Sequence, residues 1–292
     1  MNYNLLFVAN ELYYKLLRIC IKSICSVCDM DKINKIFIAD LGIKKEHLEV
    51  IKDLCGKIEI INTNINTGNS KKIFSKSWID SVSQKTAILN MLIKSGHTPV
   101  IMIDSDTLII EDFSDTINCN YDIQVCKRTN SYMRPDGLLL EYIASFVSIN
   151  NAGGETFVSA WINRLAERIN QRMIPPYETP AMIETLNKNK ELKIGILEDK
   201  VISCENNYFP GITKIIHAKG RDKGDRISIF RFANINNLPL KKMLFLLDDN
   251  EKTIFTFIYY FRKIFSFYKL KQMLKKIIKK ILKLLKINKF KY

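Results

Sequence analysis

Apolar positions along the chain fall into two rhythms. Leu5-Leu6-Phe7-Val8-Ala9, Ile36-Phe37-Ile38-Ala39 within Lys35 to Asp40, Ile58 to Ile61 and Val100-Ile101-Met102-Ile103 are short apolar runs that predict buried strands. Between them, Tyr13 to Cys28 carries Leu16, Leu17, Cys20, Ile21 and Ile24 at i, i+3, i+4 spacing, the stripe of an amphipathic helix. Lys45 to Cys55 and Trp78 to Ser95 read as two more helices, and Asn62 to Lys76, rich in Asn, Thr, Ser and Gly, as a loop. Strand-helix alternation predicts βαβ units, hence an α/β fold with a mostly parallel central sheet flanked by helices. Further on, Asp122 to Cys126, Ile143 to Ile149 and Lys214 to His217 read as strands. Thr156 to Gln171 reads as a helix ended by Pro175-Pro176, and a short helix is expected after Pro180. No internal repeat is visible.

Composition changes this picture in one place. Hydrophobic residues are 47% and charged residues 26% of the 292, which excludes a wholly disordered chain. The net charge of +15 is concentrated: Arg262 to Tyr292 holds twelve Lys or Arg and no acid, while the remaining 33 basic residues face 30 acidic ones. The expected organisation is therefore a nearly neutral folded domain over residues 1–240 and a basic amphipathic tail over residues 251–292. In that tail Leu270, Leu274, Ile277, Ile278, Ile281 and Leu285 recur at helical spacing among lysines, behind an aromatic cluster from Phe255 to Tyr268. A helix with Lys on one face and bulky apolar residues on the other suits an anionic membrane surface. Nucleic acid does not reward a continuous apolar stripe and is not an expected partner. Met1-Asn2-Tyr3-Asn4 lacks the features of a signal peptide, and Arg262-Lys263 interrupts the apolar run from Ile254 too early to span a bilayer. Seven scattered cysteines, mostly in apolar runs, read as reduced thiols, and Cys25-x-x-Cys28 lacks a second pair or nearby His. A cytoplasmic protein, peripheral on the inner face of the membrane, is the resulting expectation.

The chemistry concentrates after the fourth strand. Val100 to Ile103 runs into Asp104-Ser105-Asp106, and residues i and i+2 of extended chain share a side, so the two carboxylates can converge. Ligands of open α/β sheets bind outside the carboxyl ends of strands. Paired carboxylates there repel each other unless a hard cation lies between them, and Mg²⁺ or Mn²⁺ commonly completes its shell with substrate phosphates.

The run from Trp78 to Phe113, with Gln84-Lys85-Thr86, the D-x-D strand and Glu111-Asp112-Phe113, resembles the core of GT-A glycosyltransferases. It is most similar to the family 8-like bacterial lipooligosaccharide galactosyl- and glucosyltransferases, and the likeness extends in outline over residues 4 to 220. The resemblance implies that Asp104 and Asp106 bind Mn²⁺ (or Mg²⁺) carrying the diphosphate of a nucleotide sugar, foremost a UDP-sugar, with Ser105 beside them. Ala9, Asn10 and Tyr13 would cradle the nucleobase and ribose, and Lys85 would be the basic residue near the donor. Ile215-Ile216-His217-Ala218-Lys219-Gly220 resembles the late H-x-x-G motif, which makes His217 the third metal ligand and Lys219 and Gly220 phosphate-binding. The family's Asp-Gln pair aligns with Glu178-Thr179, keeping a carboxylate and losing the amide; Glu178 is the candidate catalytic group, as base or as stabiliser of an oxocarbenium-like centre. The Asn-Ser-Gly-Val segment expected near Ala144-Ser145-Phe146-Val147 is absent. The implied acceptor is a glycan or lipid-linked sugar in lipopolysaccharide-type surface synthesis.

Two rivals stay open from the residues alone. Asp104-Ser105-Asp106-Thr107 resembles the D-x-D-x-T signature of aspartyl phosphohydrolases, though its Thr comes one residue early; Asp248-Asp249 could be the later acidic pair. A non-enzymatic membrane-surface or nucleic-acid module would explain the tail and leave the D-x-D strand idle. Of the other histidines, His47 and His97 are expected to be exposed and structural.

Overall fold

The computed structural model describes residues 2–65, 67, 75–203, 209 and 211–217. A seven-stranded sheet runs through the described residues in the order β3-β2-β1-β4-β7-β6-β8. The strands are β1 (Tyr3–Ala9), β2 (Ile33–Asp40), β3 (Ile58–Asn62), β4 (Val100–Ile103), β6 (Ile123–Met133), β7 (Leu139–Ile149) and β8 (Ile194–Leu197). β3, β2, β1 and β4 are mutually parallel; β7 is antiparallel to both β4 and β6, and β6 is parallel to β8. A second, three-stranded sheet, β5-β10-β9, consists of β5 (Thr107–Ile109), β9 (Ile202–Ser203) and β10 (Ile215–His217).

Unbroken apolar strands follow from burial on both faces. Leu5, Phe7, Ala9, Ile101 and Ile103 point into one core, shared with α1 (Tyr14–Val27) and the small sheet. Leu6, Val8, Val100 and Met102 point into the other. That second core is covered by α3 (Lys76–Lys94), α4 (Ala152–Asn170) and α5 (Glu178–Lys188). α2 (Lys45–Lys52) covers β3 through Ile51 and Leu48.

Two helices and two histidines depart from the sequence expectation, besides the strands that it left out or cut short. α4 begins four residues early, because Asn151 caps it by accepting from the Gly153 and Gly154 N–H groups. A Cβ on Gly154 would lie 2.6 Å from the Ile149 side chain and 2.7 Å from the Asp122 carbonyl, so the glycine permits the close approach of helix and strand. α5 begins at Glu178, ahead of Pro180; a proline in the first turn sacrifices no helical bond, since those N–H groups have no intrahelical acceptor. His47 and His97 are half-buried rather than exposed. The His47 ring stacks on Tyr14 at 3.7 Å, and the His97 ring meets the edge of Phe37 at 4.9 Å.

No helix among the described residues is long and apolar enough to cross a membrane. The expected boundary near residues 240–251, the basic tail, Lys219, Gly220 and Asp248-Asp249 lie outside the described residues.

Candidate functional site

β4 ends at Ile103 in the middle of the sheet, and the chain then leaves it. The Asp104 N–H still donates to the Ser145 carbonyl of β7 at 2.9 Å, and the buried Ser105 hydroxyl donates to Val8 O of β1 at 3.3 Å. These bonds fix the turn on both sides before β5 enters the second sheet. There β5 pairs antiparallel with β10, with Thr107 opposite His217. A histidine distant in sequence is thereby set one residue from Asp106.

Ligand atoms of Asp104, Asp106 and His217 all lie within 4.8 Å of one another. His217 Nε2 is 3.2 Å from Asp106 Oδ1 and 3.5 Å from Asp104 Oδ2. The other oxygen of Asp104 accepts from Lys85 Nζ at 2.5 Å. Two carboxylates and one imidazole are a donor set suited to a hard divalent cation, whose charge two Asp would balance. Among the described residues no other group of three His, Cys, Asp or Glu side chains is gathered in this way. Among the described residues the Cys25-x-x-Cys28 segment is not part of such a trio. Instead the Cys25 thiol donates to Cys55, and that bond is the main reason the Cys55 pKa falls to about 6.

Lys85 lies on α3 one turn before the buried Leu89, so its ammonium reaches Asp104 just past the carboxyl end of β4. It also lies 3.8 Å from Glu178 Oε2. Burial alone would lower its pKa, but the carboxylates of Asp104 and Glu178 overcome this and raise it. Asp106 shows the converse balance: burial pushes its pKa up, while His217 and Lys85 bring it down overall. Glu178 is nine-tenths buried, and burial raises its carboxyl to about 7 despite the nearby Lys85. Its Oε1 has no hydrogen-bond partner among the described residues.

The expected donor cradle is also at this edge. Ala9 closes β1, with its carbonyl accepting from the Leu41 N–H at 2.9 Å. Asn10 is buried; its Oδ1 accepts from the Leu12 N–H, and its Nδ2 donates to Thr67 Oγ1 at 3.3 Å. Asn10 thus caps the single 3₁₀ turn that carries Tyr13. Burial of the Tyr13 hydroxyl end, then the Asp106 charge, raises its pKa to about 12, although 38% of the residue is open to solvent. Of the sequence-derived site residues, Asp104, Asp106, His217, Lys85 and Glu178 are brought together directly, and Tyr13 joins them electrostatically.

Other contributors had no local signal in the sequence. The buried Trp161 Nε1–H donates to the Glu178 carbonyl at 3.1 Å. Thr179, at the position of the missing amide, accepts from the Ala144 N–H at 3.4 Å. The buried Arg134 donates to the Ile174 and Pro175 carbonyls at 2.6 and 3.4 Å and pairs with Asp136, fixing the segment that leads to Glu178. Glu11 accepts from the Lys44 N–H and pairs with His47 at 2.8 Å, tying the 3₁₀ turn to the start of α2.

Solved structures share this architecture. The galactosyltransferase LgtC, solved in complex with donor and acceptor sugar analogs, superposes with a TM-score of 0.55 at 14% identity, covering 82% of this chain and 98% of that one. The fold is that of the GT-A glycosyltransferases. Glycosyltransferase GlyE of Streptococcus pneumoniae TIGR4 gives 0.55 at 15% identity, covering 90% of this chain and 64% of GlyE. Mouse xyloside xylosyltransferase 1 gives 0.50 at 11%, covering 75% and 98%. By sequence, no family model matches. A 4-hydroxy-tetrahydrodipicolinate reductase of Thermosipho africanus (strain TCF52B) is 26% identical over 137 residues, 47% of this chain. The match takes in 55% of the reductase, so the chain spans about half the length of that curated relative. In this GT-A fold the Asp-Asp-His cluster stands at the carboxyl end of the central strand, where such sheets bind ligands.

Proposed function

We propose that this chain is a metal-dependent glycosyltransferase. It takes a sugar from a nucleoside diphosphate, foremost UDP, and places it on a glycan or lipid-linked acceptor of the lipopolysaccharide type at the inner face of the cytoplasmic membrane. The observation that carries this reading is the convergence of Asp104, Asp106 and His217 beside Lys85 and Glu178 on a GT-A fold. Asp104, Asp106 and His217 would hold Mn²⁺ or Mg²⁺, which supplies Lewis-acid neutralisation of the departing diphosphate. Lys85 holds Asp104 in orientation and adds a fixed positive charge on the donor side. Asn10 and Tyr13 receive the nucleoside at the end of β1, and Lys219 and Gly220 complete the phosphate contacts. Glu178 takes the proton from the acceptor hydroxyl; a carboxyl titrating near 7 suits proton uptake at neutral pH.

The reductase match favours a second reading, a dinucleotide-dependent oxidoreductase. That chemistry needs glycines in the turn after β1, so that backbone can approach a pyrophosphate. This chain has no glycine before Gly42, and β1 passes into a 3₁₀ turn capped by Asn10. For an aspartyl phosphohydrolase, Asp104 would be the nucleophile, yet its two oxygens already face Lys85 and His217.

Hydrolysis of UDP-sugars with and without Mn²⁺, with p-nitrophenyl phosphate as control, tests the proposal. Mn²⁺-dependent release of UDP, lost in Asp106→Asn, is expected. Turnover of the phosphate ester, or of a nicotinamide dinucleotide, would replace it.

A further inference from the structure

The two cysteines of the C-x-x-C motif at the end of α1 face different partners. Cys28, just past the helix, turns its sulfur to the Phe113 N–H, and burial, with the Asp112 charge, raises its thiol to about 12. Cys25, one turn earlier, hydrogen-bonds instead to Cys55, which lies in the short connection from α2 to β3. α1 and α2 are already fastened at their other ends, where the Tyr14 ring stacks on His47 and Glu11 pairs with His47. The Cys25–Cys55 contact is a second fastening, between the end of α1 and the chain that follows α2. It is made by two thiols.

The surroundings of the two sulfurs give them unequal roles. Both residues are half-buried. A Cβ placed on Gly56, next to Cys55, would meet nothing within 4 Å, so a small reagent can approach this turn. The Ile58 N–H donates to the Cys55 carbonyl at 3.4 Å, which folds the chain back on itself. The Lys57 and Ile58 N–H groups also reach the Cys55 sulfur, and the Lys57 ammonium is anchored on the Met30 and Ile33 carbonyls. The Cys25 hydrogen bond foremost, then these donors and the Lys57 charge, outweigh burial and bring Cys55 down to about 6. Cys25 goes the other way: donation to Cys55 and burial hold its thiol protonated. A thiolate with a protonated thiol against it is the pairing of an attacking and a resolving cysteine.

We propose that Cys25 and Cys55 are a hydroperoxide-reactive pair that closes reversibly to a disulfide joining the end of α1 to the turn before β3. The Cys55 thiolate attacks one oxygen of the hydroperoxide, so that an S–O bond forms and the O–O bond breaks. The leaving oxygen takes a proton from water and departs as water or an alcohol. The Cys25 sulfur then attacks the Cys55 sulfenic acid, and its proton leaves with the hydroxyl as a second water. Two sulfurs have together given up two electrons, which reduce the O–O bond. A dithiol returns both cysteines to thiols by exchange. Cys28 takes no part, since its sulfur is held at Phe113.

The test uses the full chain, reduced, desalted and treated with hydrogen peroxide, then blocked with N-ethylmaleimide and mapped by peptide mass spectrometry. The expected product is a Cys25–Cys55 linked peptide, lost on treatment with dithiothreitol and still formed in Cys28→Ser. Cys25→Ser should stop at a Cys55 sulfenic acid, trapped by dimedone, and Cys55→Ser should give neither bridge nor adduct at Cys25. Alkylation of the native chain by iodoacetamide at pH 6.5 needs no variant. Cys119 is the more exposed residue, yet burial raises its thiol above the ordinary 9. The thiolate fraction of Cys55 is then about two hundredfold larger, and the lower nucleophilicity of the less basic sulfur leaves roughly a tenfold advantage. Allowing for half-burial, Cys55 should react at least threefold faster than Cys119. A Cys25–Cys28 bridge, a bridge between two chains, no bridge, or faster reaction at Cys119 overturns the inference. None of these readouts needs nucleotide, metal or turnover, so the inference stands or falls apart from the transferase reading.

Discussion

Glu178→Gln tests both the electrostatics of the site and its chemistry. The carboxyl is nine-tenths buried, its Oε1 lacks a hydrogen bond among the described residues, and Lys85 is 3.8 Å from Oε2. Burial raises its pKa from the ordinary 4.5 to about 7. Between those values the folded protein binds the proton more tightly than the unfolded chain does. Unfolding free energy must then fall as pH rises through 4.5 to 7, and level off above. A displacement of about 2.5 units at about 1.4 kcal/mol each corresponds to about 3 kcal/mol across the window. Glutamine fills the same space and does not titrate. The variant's stability relative to the native chain should therefore be similar at pH 4.5 and grow in its favour by about 3 kcal/mol at pH 8. Urea unfolding in EDTA at pH 4.5, 5.5, 6.5 and 8 measures this; Lys85, its pKa raised, stays charged throughout, so that the pH dependence of the difference reports Glu178. A stability difference independent of pH would refute the buried, raised carboxyl. In the same variant transfer should fall by about 10²–10⁴-fold, the usual contribution of a general base, while nucleotide affinity is retained.

Three further outcomes are expected. His217→Ala should weaken Mn²⁺-dependent UDP binding about ten- to a hundredfold by calorimetry, and unchanged affinity would remove this residue from the ligand set. Arg134→Gln strips the Ile174 and Pro175 carbonyls of their donor, so kcat should drop about tenfold with UDP affinity intact; a loss of UDP affinity would instead mean that the whole edge has shifted. A chain ending at Asn250 should keep Mn²⁺-dependent UDP-sugar hydrolysis and lose at least tenfold in affinity for anionic vesicles. The native chain should be released partly by salt, which screens the lysines and spares apolar insertion; equal binding by the shortened chain would show that the tail is not the anchor.

The sheet is legible in the sequence wherever a strand is buried on both faces. Val100 to Ile103 is apolar at every position because Ile101 and Ile103 enter one core and Val100 and Met102 the other, so β4 matches its expected limits. The same run places Asp104 and Asp106 at a carboxyl end, which is why the metal chemistry could be read from one segment. Strands with weaker patterns were not legible: β5 is three residues, β8 carries Gly195, the outer half of β6 is mostly polar and exposed, and that of β7 breaks apolar alternation at Glu141. Their strand character comes from pairing with partners remote in sequence, and residue periodicity holds no record of a partner. His217 is the instructive residue. Its motif marked it as a candidate, but only the antiparallel register of β5 and β10 sets it opposite Thr107 and within reach of both aspartates. Glu178 is similar: a carboxylate in sequence is ordinary, and its pKa near 7 arises from burial at the head of α5, against a lysine from α3 and an aspartate after β4. Sequence determined which side chains could do chemistry and which faces were buried, because those are local properties of spacing and polarity. Distance, desolvation and mutual charge were decided by tertiary structure, because each depends on groups that the chain brings together only when it folds.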